Sequence, residues 1–153
     1  IHEEEPLGTG GALRLLPRQE IDTSFIMMNA DILSNLNFGT FLKYHQQNKG
    51  IATMCVREYL HTIPYGVVES QENIVSKIVE KPTNSYFINA GIYALEPEFL
   101  DSLEGSGKID MPDLIESYIK KDMNIVAFPI HEYWLDIGSR EDYNRAQVDI
   151  NFL

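Results

Sequence analysis

Two aspartates and a lysine are the residues of this chain best suited to handling phosphate and a metal ion. Asp31 closes the run Phe25-Ile26-Met27-Met28-Asn29-Ala30-Asp31, four apolar residues followed by Asn-Ala-Asp. A short apolar run bounded by turn residues reads as a strand buried on both faces, of the kind found in parallel sheets. Open α/β sheets keep their ligands at the carboxyl ends of such strands, where Asp31 falls. Asp136 lies in Trp134-Leu135-Asp136-Ile137-Gly138. A carboxylate among large apolar residues at a strand end is costly unless paired or metal-bound. Two such carboxylates suit magnesium, which prefers oxygen ligands and keeps several waters. Taken singly, Asp31 reads equally well as a turn or helix-capping residue. In Val79-Glu80-Lys81-Pro82, the proline biases Lys81 to an extended backbone, so its ammonium can project from a strand end toward a phosphate. A solvated charged turn is the plainer alternative there.

Three further groups of residues could complete a site or leave it bare. Leu7-Gly8-Thr9-Gly10-Gly11 is glycine-rich, and glycines let a backbone approach a ligand while a helix start offers free N–H groups. Alone, it is an ordinary loop with a helix cap. Asn89-Ala90-Gly91 inside a strand suggests a bulge or the close approach of a ligand, with Asn89 able to bond a sugar hydroxyl. Simple strand packing is the alternative. The histidines, His2, His45, His61 and His131, show no ligand spacing and read as structural or surface residues. There is no serine elbow and no cysteine–histidine pair.

The elements that must hold these residues follow from pattern. Thr9 is placed to cap a short helix from Gly10 to about Leu16, ended by Pro17. Asn37 caps a helix whose apolar face is Phe38, Phe41, Leu42 and His45, closed by Gly50. Ile51 to Arg57 is a strand. Tyr65–Glu69 and Ile74–Glu80 form a hairpin that Pro82 stops. Tyr86 to Leu95 is a strand, and Pro97 to Leu103 a short helix with proline in its first turn. Glu104 to Lys108 reads as a flexible loop. Asp110 caps a helix from Pro112 to Lys121, and Asn124 to Phe128 is a strand. Ser139 with Asp142 makes a capping box for a final helix with Tyr143, Ala146, Val148 and Ile150 inward. The alternation predicts an α/β fold with a Rossmann-like, mixed and mostly parallel sheet flanked by helices.

Composition narrows the functions. The 153 residues suffice for one domain with a real core. A net charge of −11 argues against nucleic-acid binding and against an anionic membrane surface. No run is long enough to span a membrane. The single cysteine, Cys55, sits in an apolar run and reads as a buried reduced thiol. With no intrachain disulfide possible, a cytoplasmic setting is favoured.

In this order and at these distances, the pieces resemble the sugar-phosphate nucleotidyltransferases. That family makes nucleotide-sugars, as in polysaccharide synthesis. Its members include mannose-1-phosphate guanylyltransferases and glucose-1-phosphate thymidylyl- and uridylyltransferases. Residues 6–13 resemble its base-contacting loop, where alanine is commoner than Gly10. Asn29-Ala30-Asp31 resembles its strand-end metal aspartate, with Ala30 where glycine is usual. Tyr65-Gly66-Val67-Val68 resembles the sugar-contacting turn, and Glu80-Lys81-Pro82 the sugar and phosphate contacts. Asn89-Ala90-Gly91-Ile92-Tyr93 is similar to the sugar-pocket strand. Trp134-Leu135-Asp136-Ile137-Gly138 with Asp142-Tyr143 is similar to the second metal aspartate and its helix. The resemblance implies a nucleoside triphosphate and a sugar 1-phosphate as substrates, and a nucleotide-sugar and pyrophosphate as products. It implies Mg2+ on Asp31 and Asp136, with Lys81 on the sugar phosphate. It places Leu7, Gly8, Thr9 and Gly11 at the nucleotide, and Gly66, Glu80 and Asn89 at the sugar. Overall likeness leans toward guanine with a mannose- or heptose-type sugar, though no single residue decides it. A homo-oligomer is compatible with it.

The family's N-terminal signature, Gly-x-Gly-Thr-Arg followed by Pro-Lys, cradles the triphosphate and is absent here. Residues 1–153 are therefore expected to be the C-terminal two-thirds of one catalytic domain. The missing part is about two βαβ-type units, roughly 60–90 residues including the sheet's central strand. Alone, the chain is expected to be inactive and to associate through exposed strand edges. Two other readings stay open. One is a non-catalytic module that binds a nucleotide-sugar or sugar phosphate. The other is a metal-dependent glycosyltransferase, against which stand the lack of Asp-x-Asp and the fit of Glu80-Lys81-Pro82.

Overall fold

Alternation along one long strand sets the layering. In the computed structural model, which describes residues 2–101, 103, 105 and 107–153, that strand is β6 (Thr83–Leu95). Side chains on a strand point alternately to opposite faces. Tyr93 and Leu95 enter one core with Phe99, Met111, Leu114 and Tyr118. Ile92 and Ala94 enter another with Ile32, Phe41, Cys55 and Ile130. Helix α4 (Met111–Lys120) covers the first face and α2 (Phe38–Asn48) the second. The remaining helices are α1 (Gly8–Gly11), α3 (Glu98–Asp101) and α5 (Arg140–Asp149). Ser102, in the expected helix, and Glu104 and Ser106, in the expected loop, lie outside the described residues. No helix among the described residues is long and apolar enough to cross a membrane.

The main sheet has the order β1-β6-β3-β7, with β1 at Phe25–Met28, β3 at Ala52–Thr62 and β7 at Ile125–Pro129. It is mixed, as expected. It is not mostly parallel, because β1 and β3 both run antiparallel to β6 and only β3 and β7 are parallel. Nor is β1 buried on both faces. It is half-buried with Met28 exposed, because one edge pairs with β6 while the other borders a cleft of about 330 Å3 beside Leu13, Leu16 and Phe25. Two short ladders complete the chain. One joins β2 (Ile32–Ser34) to β8 (Trp134–Asp136); the other is the hairpin of β4 (Gly66–Gln71) and β5 (Ile74–Glu80).

Local chemistry explains most element ends. Asn37 caps α2 by accepting from the Thr40 N–H at 2.9 Å, and Ser139 caps α5 by accepting from Asp142. Lys49, with φ at 51°, ends α2 where Gly50 was expected to. Three expectations need correction. Thr9 does not cap its own helix. Its hydroxyl accepts from the Met111 N–H at the start of α4, and its own N–H donates to Asp110. Lys81 is not extended: its φ is 46°, since the chain must swing from β5 into β6 across Lys81 and Pro82 alone. Of the inward face expected for α5, only Ala146 is buried, while Tyr143, Val148 and Ile150 are exposed.

A buried polar chain ties α2 to the sheet. His45 is fully buried, its Nδ1 2.7 Å from Thr53 Oγ1 and its Nε2 3.0 Å from Glu96 Oε1. Cys55, buried beside it in β3, is an inert thiol, and its burial pushes its pKa up to about 12. Burial holds the His45 imidazole below its ordinary pKa and outweighs the attraction of Glu96. The folded chain therefore favours neutral His45, whereas the unfolded chain takes up a proton below about pH 6.5. Stability is full above that pH and falls as pH drops through it toward the lower folded value. Thermal unfolding followed from about pH 7.5 down to about pH 5 checks this. The expected result is a steeper loss of Tm in the native chain than in His45→Gln; equal slopes contradict it.

Candidate active site

A bulge in β6 lies beside the segments that carry the two aspartates. Met54 of β3 pairs with Tyr93 and Val56 with Asn89, so Ala90, Gly91 and Ile92 together face the single residue Cys55. Such an insertion bends the strand and frees backbone groups from the ladder. Gly91 takes a φ of 69°, the left-handed region that glycine enters at little cost. A Cβ at that position would lie 3.0 Å from the Asn29 amide nitrogen. The Asn89 carboxamide holds the turn, accepting from the Gly91 N–H at 3.0 Å and donating to the Tyr93 hydroxyl at 2.5 Å. Burial raises the Tyr93 phenol above its usual pKa, which keeps it neutral.

Two carbonyls at the bulge bond the segments that carry the carboxylates. Gly91 O accepts from the Asn29 N–H at 2.9 Å, and Ala90 O from the Trp134 indole N–H at 2.8 Å. In the β2–β8 ladder, Asp136 pairs with Ile32, and the Ile137 N–H donates to the Asp31 carbonyl at 2.8 Å. Asp31 and Asp136 therefore sit on adjacent rungs, and both are exposed to incoming ligand. A cleft of about 370 Å3 opens beside Asp31, walled by Asp31, Asn29, Met28, Thr9, Ala12 and Glu3. Another cleft, of about 460 Å3 at Lys49 and Glu96, holds none of the expected site residues.

The glycine loop meets this cleft only in part. The Thr9 side reaches it, but Gly8 and Gly11 face protein. A Cβ on Gly8 would lie 2.6 Å from the Ile109 carbonyl oxygen, and one on Gly11 2.7 Å from the Leu7 Cβ. Leu7 O accepts from the Ile109 N–H at 2.8 Å. These glycines thus let residues 7–11 lie flat on residues 107–111. Asn89, with both ends of its carboxamide used by the bulge, keeps its second amide proton and one Oδ1 lone pair for a ligand.

The remaining expected residues form a second group at the foot of the hairpin. Gly66 pairs with Glu80, and a Cβ on Gly66 would lie 2.9 Å from Glu80 Oε2. Lys81 donates its N–H to the Tyr65 carbonyl at 3.2 Å, and its exposed side chain has no ion-pair partner among the described residues. Strand β6 joins the two groups, starting just past Pro82 and reaching the bulge at Ala90. Sequence reasoning missed Trp134 as an anchor and Ala12 and Met28 as cleft walls. The bulge itself was signalled by a glycine in mid-strand.

The donor set fits magnesium. Two exposed carboxylates, with room left for waters and phosphate oxygens, are its usual protein complement. Asn29 adds a buried side-chain oxygen with no hydrogen-bond partner beside them. Among the described residues, no three His, Cys, Asp or Glu side chains gather into a fuller metal cage.

The chain belongs to the nucleotidyl transferase family, whose model matches residues 1–151. It is 36% identical over 152 residues to the Oryza sativa subsp. japonica protein named "Probable mannose-1-phosphate guanylyltransferase 3", covering 92% of this chain and 41% of that protein. It is 30% identical over 157 residues to a mannose-1-phosphate guanyltransferase of Debaryomyces hansenii, covering 95% and 42%. The crystal structure of HddC from Yersinia pseudotuberculosis superposes with a TM-score of 0.68 at 27% identity, covering 98% of this chain and 65% of that one. The same protein complexed with GMP-PN gives 0.66 at 26%, with the same coverage. The chain thus spans less than half the length of these curated relatives.

The bulge makes Gly91 sensitive. Gly91→Ala imposes a left-handed alanine and a contact on Asn29, and is expected to destabilise by about 1–3 kcal/mol. Urea unfolding checks this; a midpoint unchanged from the native chain contradicts it.

Proposed function

We propose that this chain forms the metal- and sugar-side part of a sugar-1-phosphate nucleotidyltransferase. The reaction joins a sugar 1-phosphate to a nucleoside triphosphate, giving a nucleotide-sugar and pyrophosphate. The observation that carries the reading is the β2–β8 ladder, which sets Asp31 and Asp136 on adjacent rungs, with Asp31 on the wall of an open cleft. The names of the relatives and the GMP-PN complex of HddC support guanosine triphosphate with a mannose-type sugar 1-phosphate as first choice.

Chemistry of this kind needs no protein nucleophile. An oxygen of the sugar phosphate attacks the α-phosphorus in line, and the bond to the pyrophosphate oxygen breaks. Positioning and charge neutralisation supply most of the rate. Asp31 and Asp136 would hold Mg2+, and a bound cation would supply charge neutralisation for the reacting phosphates. Lys81 carries an uncommitted ammonium at the hairpin foot and binds the sugar phosphate. Gly66 and Glu80 border the sugar, and Asn89 shapes the floor with one proton to spare. Thr9, rather than Gly8 or Gly11, presents side-chain atoms of the loop to the nucleotide, with Leu7 fixing the loop's path.

We further propose that a strand outside residues 1–153 docks along the bare edge of β1 and brings the triphosphate-binding loop with it. The apolar cleft beside Leu13, Leu16 and Phe25 supports this, as does the share of its relatives that the chain spans. Turnover therefore belongs to the intact protein carrying this chain.

In that protein, Asp31→Asn and Asp136→Asn are each expected to lower turnover by about 10²–10³-fold with the fold retained, since a bound metal supplies several kcal/mol. Pyrophosphate release from guanosine triphosphate and mannose 1-phosphate checks this. Native turnover in either variant would remove the metal assignment.

A further inference from the structure

Two neighbouring carbonyls at the bulge, Ala90 O and Gly91 O, have a common pattern in what they bind. Ala90 O takes the Trp134 indole N–H at 2.8 Å, and Gly91 O takes the Asn29 backbone N–H at 2.9 Å. Each donor stands two residues before an aspartate: Asn29 before Asp31, Trp134 before Asp136. Neighbouring carbonyls of one strand thus grip both carboxylate-bearing segments. The Ile137 N–H to Asp31 O bond closes the loop between them.

The socket itself is stiff. Asn89 clamps Gly91 from one side and is held by the buried Tyr93 hydroxyl. Trp134 is steadied on its other face by Arg57. That guanidinium lies 6.0 Å from the ring centroid and donates to the Glu132 carbonyl at 2.8 Å. A ladder as short as β2–β8, three residues a side, has little rigidity of its own. Its fixed geometry comes from these anchors.

We propose that Trp134 is a positioning residue that sets Asp136 against Asp31, and that the rigid spacing selects a small divalent cation over a large one. The inference rests on the assignment of these aspartates to a cation. Magnesium demands near-octahedral geometry at about 2.0–2.1 Å, whereas calcium accepts about 2.3–2.6 Å and irregular shells. A fixed carboxylate pair serves the first, and a loosened pair loses magnesium more than calcium. Outer partners of metal ligands commonly govern affinity in this way.

The test is cation binding, measured apart from turnover. Mn2+ binding to the intact protein is followed by electron paramagnetic resonance, with Mg2+ and Ca2+ as competitors. Trp134→Phe keeps an aromatic ring at this half-buried position and loses the N–H. It is expected to weaken Mg2+ by about tenfold and Ca2+ distinctly less, so the preference shifts toward calcium. Arg57→Gln, which leaves the indole in place, is expected to shift the preference the same way by less, and stands in should Trp134→Phe not fold. A lower Tm with the native Mg2+/Ca2+ ratio in both variants would show that Trp134 only fills space, and would overturn the proposal. Asp31→Asn and Asp136→Asn separate the two levels. Loss of Mn2+ in these with an unmoved ratio in Trp134→Phe defeats this inference alone. Retention of Mn2+ in both defeats the metal reading and this inference with it.

Discussion

The structure depends on the break in the β6 ladder at Ala90 and Gly91. A strand interior normally spends every carbonyl on its neighbours, and a buried carbonyl without a partner is costly. Here Ala90 O takes up the Trp134 indole N–H, while Gly91 O extends the β1–β6 register by one step to the Asn29 N–H. One irregularity thereby fastens a short, weak ladder to a long, well-packed strand. The cost of the irregularity is contained by glycine at the left-handed position and by Asn89 and Tyr93 around it. The Asp136 segment is fastened at that break, and the Asp31 segment at the end of the β1–β6 ladder beside it.

The site has two ends joined by the same strand. The aspartates lie beside the half of β6 that is buried between two cores, where position is stiff. Gly66, Glu80 and Lys81 lie at the foot of a hairpin that forms its own two-stranded sheet beyond the exposed half of β6. On the proposed reading, the cation meets the rigid end, while the sugar and the Lys81 contact to its phosphate lie at the freer one. Discrimination among sugars then tracks hairpin residues, while the reaction itself tracks the bulge.

Features written in short stretches of sequence were legible, and those set by distant chain were not. Caps at Asn37 and Ser139, the hairpin ending at Pro82 and the buried Cys55 follow from neighbours in sequence. Asn89-Ala90-Gly91 announced a bulge because glycine in mid-strand has few other uses. Thr9 looked like a cap for its own helix, yet its partners are Asp110 and Met111, some hundred residues away. The Phe25 run looked doubly buried, since its composition suits that. Its true burial is decided by which strands flank it, and only β6 does so here. The positive φ of Lys81 arises from the tight passage between two strands, which outweighs the local preference of a residue before proline. For the candidate site, the aspartates were readable by type and place. Trp134's indole bond was not, because nothing local says which carbonyl a strand 44 residues earlier in the chain will leave free.

The central claim is that Asp31 and Asp136 share one divalent cation. The most direct measurement is an anomalous-difference map from crystals of the intact protein grown with Mn2+ and its nucleotide-sugar product. The account predicts one strong peak within coordination distance of carboxylate oxygens of both aspartates and of a product phosphate. A map with ordered product and no peak there, or a peak held by other side chains, would contradict it.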